Sequence, residues 1–219
     1  MKIAFLTLGP EIIPSSRTRV YQYLPHLQRA GWEGRVLPHS ANLPALVYLP
    51  AYPALARLMR SLLWHLDVVY QTRQLRRFEQ LAETWADVIF IQKVLLPFEA
   101  QVRLHRLGKP VVFDFDDALF ADRQHYDVAR FDHQLEHCDL VVLENEHTQQ
   151  YAESRGCCTL RITGPIDTDR YTPASRPPSP GDPVILGWIG SASTLPHLET
   201  IAGALAQVAA QCPSVAPAH

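Results

Sequence analysis

Four cysteines, two methionines and ten glycines are all that the 219 residues hold of those types, and the scarcity excludes several chemistries. Cys138, Cys157, Cys158 and Cys212 have no CxxC spacing, so a thiolate zinc site lacks its ligand set. Adjacent cysteines such as Cys157 and Cys158 rarely pair, and a reduced, cytoplasmic setting is the simplest account of them. There is no GxGxxG fingerprint, which leaves a nicotinamide or flavin cofactor without support, and no GxSxG elbow for a serine nucleophile. HExxH is also absent; His133 and His137 stand four apart beside Cys138, a spacing too common to assign a metal. An excess of one charge is missing as well. Twenty Lys and Arg against 22 Asp and Glu give a net charge of −2, which offers nucleic acid no footprint, and Arg73, Arg76 and Arg77 read as a solvated helix face. Long apolar runs are lacking too. The uncharged tract from Val36 to Ala56 is broken by Pro38, Pro44, Pro50 and Pro53 and makes a poor spanning helix. The opening Met1 to Pro10 carries one charge and ends its apolar run at glycine-proline, as a strand does and a secretory leader does not.

What is present is alternation. Hydrophobic residues make up 47% of the chain and charged ones 19%, enough apolar surface for a core. Lys2–Leu8 is a short, continuously apolar strand of the kind buried in a parallel sheet. A helix follows, capped by Ser15 or Ser16, with Val20, Tyr23, Leu24 and Leu27 on its apolar face, a kink at Pro25 and a stop at Gly31. A strand over Arg35–Leu37 comes next. The region from Ala41 to Arg77 predicts two or three helices. Its stripe of Leu55, Leu58, Met59, Leu62 and Leu63 reads first as a core face, and with Arg57, Arg60 and Trp64 it also admits peripheral membrane contact. Then strands at Val88–Gln92, Pro110–Phe113, Leu140–Leu143 and Thr159–Ile162 alternate with helices over Phe98–Leu107, Val128–His137 and Glu144–Arg155. That order argues for an α/β fold, a Rossmann-like doubly wound parallel sheet, over residues 1–165. Residues 166–183 hold Pro173, Pro177, Pro178, Pro180 and Pro183 and read as a stiff linker. Residues 184–219 read as one strand and one helix, Thr194–Ala210, the start of a second Rossmann-like domain that cannot bury a core alone.

In an open parallel sheet, ligands sit beyond the carboxyl ends of the strands. Three stretches qualify. Gly9 to Arg19 offers helix N–H groups with Ser16, Arg17 and Arg19 for an anion or sugar hydroxyls, or is a routine capped helix. Asp114, Asp116 and Asp117 crowd the end of one strand, a cost that solvation, pairing or a ligand must offset. If the chain stays extended, Asp114 and Asp116 share a side and Asp117 points elsewhere. Gly187 to Thr194 is a glycine turn that can cradle phosphate but lacks the lysine of a Walker A loop.

Taken in order, KIAFLTLGP, PSSRTRVYQYLPHL, KPVVFDFDDALF, TGPIDTDRYTP and ILGWIGSASTLPHLETI resemble the retaining glycosyltransferases of the GT-B fold, family 4. The resemblance covers nearly the whole chain. It implies an acceptor-binding first domain and a truncated donor-binding second one. It places Gly9, Ser16, Arg17, Arg19, Asp114, Asp116, Asp117, Asn145 and Glu146 on the acceptor side of the cleft and Gly190 and Ser191 on the donor-phosphate loop. It implies a nucleotide-sugar as substrate rather than cofactor, no divalent metal, and a saccharide, lipid or protein acceptor. The paired glutamates and basic residue that hold the donor in relatives have no counterpart here. The chain is therefore expected to be inactive alone, and no residue is assigned a catalytic role. The alternatives are a sugar- or nucleotide-binding domain that works with a partner supplying the second half, and a truncated gene product.

Overall fold

The computed structural model describes residues 1–41, 53–123, 126–164, 166–169, 171–173, 184–190, 196–212 and 215–217. The chain divides into two compact units, Met1–Pro165 and Ile166–His219.

The first unit is built on strands β1 (Lys2–Thr7), β2 (Glu33–Pro38), β3 (Val88–Gln92), β4 (Val111–Phe115), β5 (Leu140–Leu143) and β6 (Thr159–Arg161). All pair in parallel, in the order β2-β1-β3-β4-β5-β6. The connecting helices are α1 (Pro14–Arg19), α2 (Leu24–Arg29), α3 (Pro53–Thr84), α4 (Phe98–His105), α5 (Val128–Glu136) and α6 (Glu146–Glu153). This is the Rossmann-like α/β sheet that the alternation implies. Right-handed crossovers put α1 and α2 on one face, because β1 to β2 runs one way along the sheet. Every later step runs the other way and puts α3 to α6 on the opposite face. The packing follows: Ala4, Leu6, Ile89, Ile91, Phe113 and Val141 join Phe78, Leu104, Phe131 and Leu135 in the large core. The alternate residues Ile3 and Phe5 meet Val20, with Leu24, Leu27, Val36, Val88 and Phe90 around them. On that second face a groove of about 250 Å³ runs along Phe5, Leu27, Trp32, Phe90 and Val142, with Arg19 and Asp114 also lining it.

Three elements differ from expectation. The helix after β1 is two helices separated by a 3-10 turn, Tyr21–Tyr23. Pro25 lacks an N–H and crowds the carbonyl four residues back, so it opens α2 instead of kinking a longer helix. No serine caps α1: Ile13 stands at its N-cap without a side-chain bond, and Pro14 begins the helix. Between Ala41 and Arg77 the described residues hold one helix, α3, whose 32 residues contain no proline or glycine after Pro53 to interrupt it. Leu55, Leu58 and Met59 of the expected stripe lie outside the described side chains; Leu62 is exposed and Leu63 half-buried.

The second unit holds more than a strand and a helix. β7 (Val184–Leu186) pairs in parallel with β8 (Val215–Pro217), with α7 (Pro196–Glu199) and α8 (Ala202–Gln211) between them. The helix expected over Thr194–Ala210 breaks at Thr200 and Ile201, where the Thr200 hydroxyl donates to the His197 carbonyl at 2.7 Å. Ile185, Trp188, Ile189, Ile201 and Leu205 are exposed, as a two-stranded sheet with one helical layer leaves them.

Candidate functional site

The sheet order reverses direction between β1 and β3, and crevices at such a point are where parallel sheets bind ligands. Both strands end there in polar residues. Gln92, the last residue of β3, is fully buried and reaches across to the loop after β1. Its Oε1 accepts the Leu8 N–H at 3.1 Å and the Ser16 hydroxyl at 3.1 Å. The Ser16 oxygen in turn accepts the Gly9 N–H at 3.2 Å, and the Thr7 hydroxyl donates to the Gly9 carbonyl at 2.8 Å. A Cβ on Gly9 would come within 2.7 Å of Ile13 Cγ1, so the tight path of this loop onto α1 calls for glycine. The Gln92 Nε2 is buried and has no hydrogen-bond partner among the described residues. An unmet buried amide donor costs about 1–3 kcal/mol, which a polar ligand or water at the crevice would recover.

One residue further, Lys93 adopts φ 57, a left-handed conformation that a side chain enters at a cost. Its N–H donates to the Asp114 carbonyl at 2.8 Å. This turns the ammonium toward the end of β4, where it meets Asp116 at 2.8 Å and also Asp117. Burial works against the Lys93 charge, but hydrogen bonds and the field of the two carboxylates outweigh it and hold the pKa above the ordinary value. Asp116 and Asp117 therefore share one cation.

Asp114 goes the other way. β4 runs on to Phe115 instead of stopping at Phe113, so Asp114 lies within the strand and is buried. The Arg19 Nε donates to both of its oxygens at 3.1 Å, and Arg19 Nη2 closes the pair. Arg19 also donates to the Ile162 carbonyl at 3.2 Å and lies 3.8 Å from Glu144. Desolvation pushes the Asp114 carboxyl up to about 6, with Arg19 pulling against it. The pairing anticipated in the sequence is divided: Asp114 belongs to an interior ion pair, and Asp116 and Asp117 belong to the edge.

The remaining candidates fall at varied distances from this crevice. Asn145 caps α6, accepting the Thr148 N–H at 3.0 Å, and its Nδ2 donates to the Asp116 carbonyl at 3.5 Å. Glu146 is exposed and pairs along its own helix with Gln150. Arg17 bends back to the Glu11 and Ile12 carbonyls. Gly190 is exposed in the second unit; Ser191 lies outside the described residues. Gln92 and Lys93 escaped the sequence reading. The signal was available: they follow Val88–Ile91 as Asp114 follows Val111–Phe113, two polar residues ending an apolar strand. His133 and His137 stack at 4.1 Å; His133 Nδ1 donates to Gln101 Oε1, and His137 Nδ1 to the His133 carbonyl. Among the described residues no group of three or more His, Cys, Asp or Glu side chains is placed to hold a metal ion.

No protein-family model matches the chain, and no curated protein sequence matches it. Among solved structures, it is similar to Anabaena Alr3699/HepE in complex with UDP and glucose. The identity is 15%, over 93% of this chain and 50% of that one, with a TM-score of 0.42. It is also similar to Glycyrrhiza uralensis UGT73P12 complexed with glycyrrhetinic acid 3-O-monoglucuronide, at 10% identity over 74% of this chain and 48% of that one, TM-score 0.44. The chain spans about half the length of each.

Proposed function

We propose that this chain is the acceptor-side part of a glycosyltransferase that moves a sugar from a nucleotide-sugar donor to a saccharide, lipid or protein acceptor with retention of configuration. The observation that carries the reading is the group of polar side chains at the reversal of the sheet, above all the buried Gln92 Nε2, which has no hydrogen-bond partner among the described residues. An amide N–H there donates to a sugar hydroxyl oxygen, and the carboxylates of Asp116 and Asp117 accept hydroxyl protons. Lys93 pairs with both carboxylates. Arg19 and Asp114, paired with each other, line the neighbouring apolar groove instead. The donor class comes from the sequence resemblance, and the reaction needs stabilisation of the charge that develops on the departing diphosphate. No residue of Met1–Pro165 is assigned that task, so the chain alone is expected to turn over little donor. Four free thiols fit a reduced, cytoplasmic compartment.

Backbone amide shifts read by NMR provide the test, with UDP-glucose and a panel of mono- and disaccharides as probes. A saccharide that moves the Gly9, Ser16, Lys93 and Asp116 amides, and stops doing so in Gln92→Leu while UDP-glucose leaves them in place, is the expected result. Saccharides that perturb only the opposite edge of the sheet, or nothing at all, would sink the reading.

A further inference from the structure

His133 and His137 lie one turn apart at the end of α5, with their rings stacked at 4.1 Å and 17° from parallel. Spacing of this kind is common and by itself assigns nothing. The hydrogen bonds add what spacing lacks. The His137 Nδ1 lies 2.8 Å from the His133 carbonyl, an oxygen that can only accept, so Nδ1 carries the proton. The His133 Nδ1 meets Gln101 Oε1, and the network fixes which way that amide points. Gln101 Nε2 donates to the Leu96 carbonyl at 2.8 Å and to the Arg130 carbonyl at 3.2 Å. Oε1 is therefore the acceptor, and His133 also holds its proton on Nδ1. In a neutral imidazole this leaves the lone pair on Nε2. Among the described residues neither Nε2 has a hydrogen-bond partner, and neither is a buried atom without one, so both meet solvent.

We infer that His133 and His137 chelate one divalent transition-metal ion of the copper or nickel class through their two Nε2 atoms, with water completing its coordination. Metal–imidazole bonds of about 2.0–2.1 Å let one ion join two rings stacked this closely after a small tilt of either. Each ring already donates its other nitrogen to an oxygen, the arrangement that fixes the tautomer and orientation of imidazole ligands and raises their basicity. Nitrogen ligands of this kind suit copper(II) and nickel(II). The Cys138 thiol next in sequence does not compete. It donates to the Gln134 carbonyl at 3.0 Å, and burial pushes it up, away from the thiolate that binds metal. His105 of α4 meets His137 edge-on at 5.3 Å. Among the described residues no third His, Cys, Asp or Glu is placed to complete a ligand set, so the protein supplies two ligands. The inference stands apart from the transferase reading, because none of these residues lies at the crevice.

Calorimetric titration of the metal-stripped full chain with the chlorides of copper(II), nickel(II) and cobalt(II) tests it. One ion per chain is expected, with affinity falling in that order. His133→Asn and His137→Asn should each weaken binding at least about tenfold, because losing a ligand costs no less than losing its hydrogen-bond partner, about 10–100-fold. His105→Ala should keep the wild-type affinity. The wild type supplies a check that does not depend on any variant folding: trace copper(II) should broaden the ring resonances of His133 and His137 before those of histidines outside α4 and α5. Binding unchanged in both asparagine variants, or broadening that starts at other histidines, means an adventitious ion only and overturns the proposal. Absence of binding overturns it too, and so does a loss in His105→Ala as large as in the asparagine variants.

Discussion

Arg19 and Asp114 are the most interior charges of the first unit, with side chains 5% and 2% exposed. Removing one member of such a pair leaves the other charge without its partner. We expect Arg19→Ala to cost about 3–5 kcal/mol near pH 7.5 in urea unfolding. The cost should shrink toward pH 5, because the abandoned carboxyl then takes up a proton. In the wild type Asp114 titrates at about 6, above the ordinary 3.8. The folded chain therefore holds this proton more tightly than the unfolded one, and the stability the group contributes is fullest below about pH 4 and declines as pH rises to about 6. Other carboxylates have the opposite slope when ion pairs depress them, so the comparison is between wild type and Asp114→Asn. The difference in their stabilities should change between pH 4 and 6 and be flat above. A flat difference throughout would remove the raised carboxyl. Lys93 offers a backbone prediction that ion pairing does not confound. Lys93→Ala and Lys93→Gly both lose Asp116 and Asp117, but at φ 57 only glycine is unstrained. The glycine variant should be more stable than the alanine variant by about 1 kcal/mol, by the same unfolding measurement.

At the scale of elements, α3 joins two kinds of surface on one helix. Phe78 is fully buried in the large core, whereas Leu66, about three turns earlier, is half exposed. Phe78→Ala should cost about 3–5 kcal/mol, and Leu66→Ser should stay within about 0.5 kcal/mol of wild type, both read from thermal or urea unfolding. Equal losses would mean that Leu66 is packed as tightly as Phe78. The same helix shows why some elements were legible in the sequence and others were not. β3 and β5 matched to the residue, Val88–Gln92 and Leu140–Leu143, because each is an apolar run closed by polar residues on both sides. α3 did not, since its apolar side turns from outward at Leu62 to inward at Phe78 and no single periodicity runs through it. α1 and α2 looked like one helix because apolar spacing survives across the 3-10 turn; only the missing N–H of Pro25 separates them. Among candidate site residues, Gly9, Ser16, Asp116 and Asn145 could be placed from strand ends alone. What no sequence pattern carried was pairing across strands. Gln92 meeting Ser16 and Lys93 meeting Asp116 depend on β3 lying between β1 and β4, and on a left-handed residue that is not glycine.

For the whole molecule, the sheet of the first unit has unequal faces. Four helices cover one, and the buried residues of the large core all lie between Ala4 and Ala152. The other face carries the smaller cluster of Ile3, Phe5 and Val20, beside which a groove of about 250 Å³ runs along Phe90 and Val142. Each strand of the six-stranded sheet lies within Met1–Pro165, and both core clusters, as drawn from the described residues, are built of side chains from that unit. A chain ending at Pro165 should therefore fold by itself, with a melting temperature within a few degrees of the full chain and a single cooperative transition. It should be the more soluble of the two, because Ile185, Trp188, Ile189, Ile201 and Leu205 leave with the second unit. Calorimetry of the two chains side by side decides the matter. A truncated chain that melts without cooperativity would show that the first unit borrows stability from residues after Pro165.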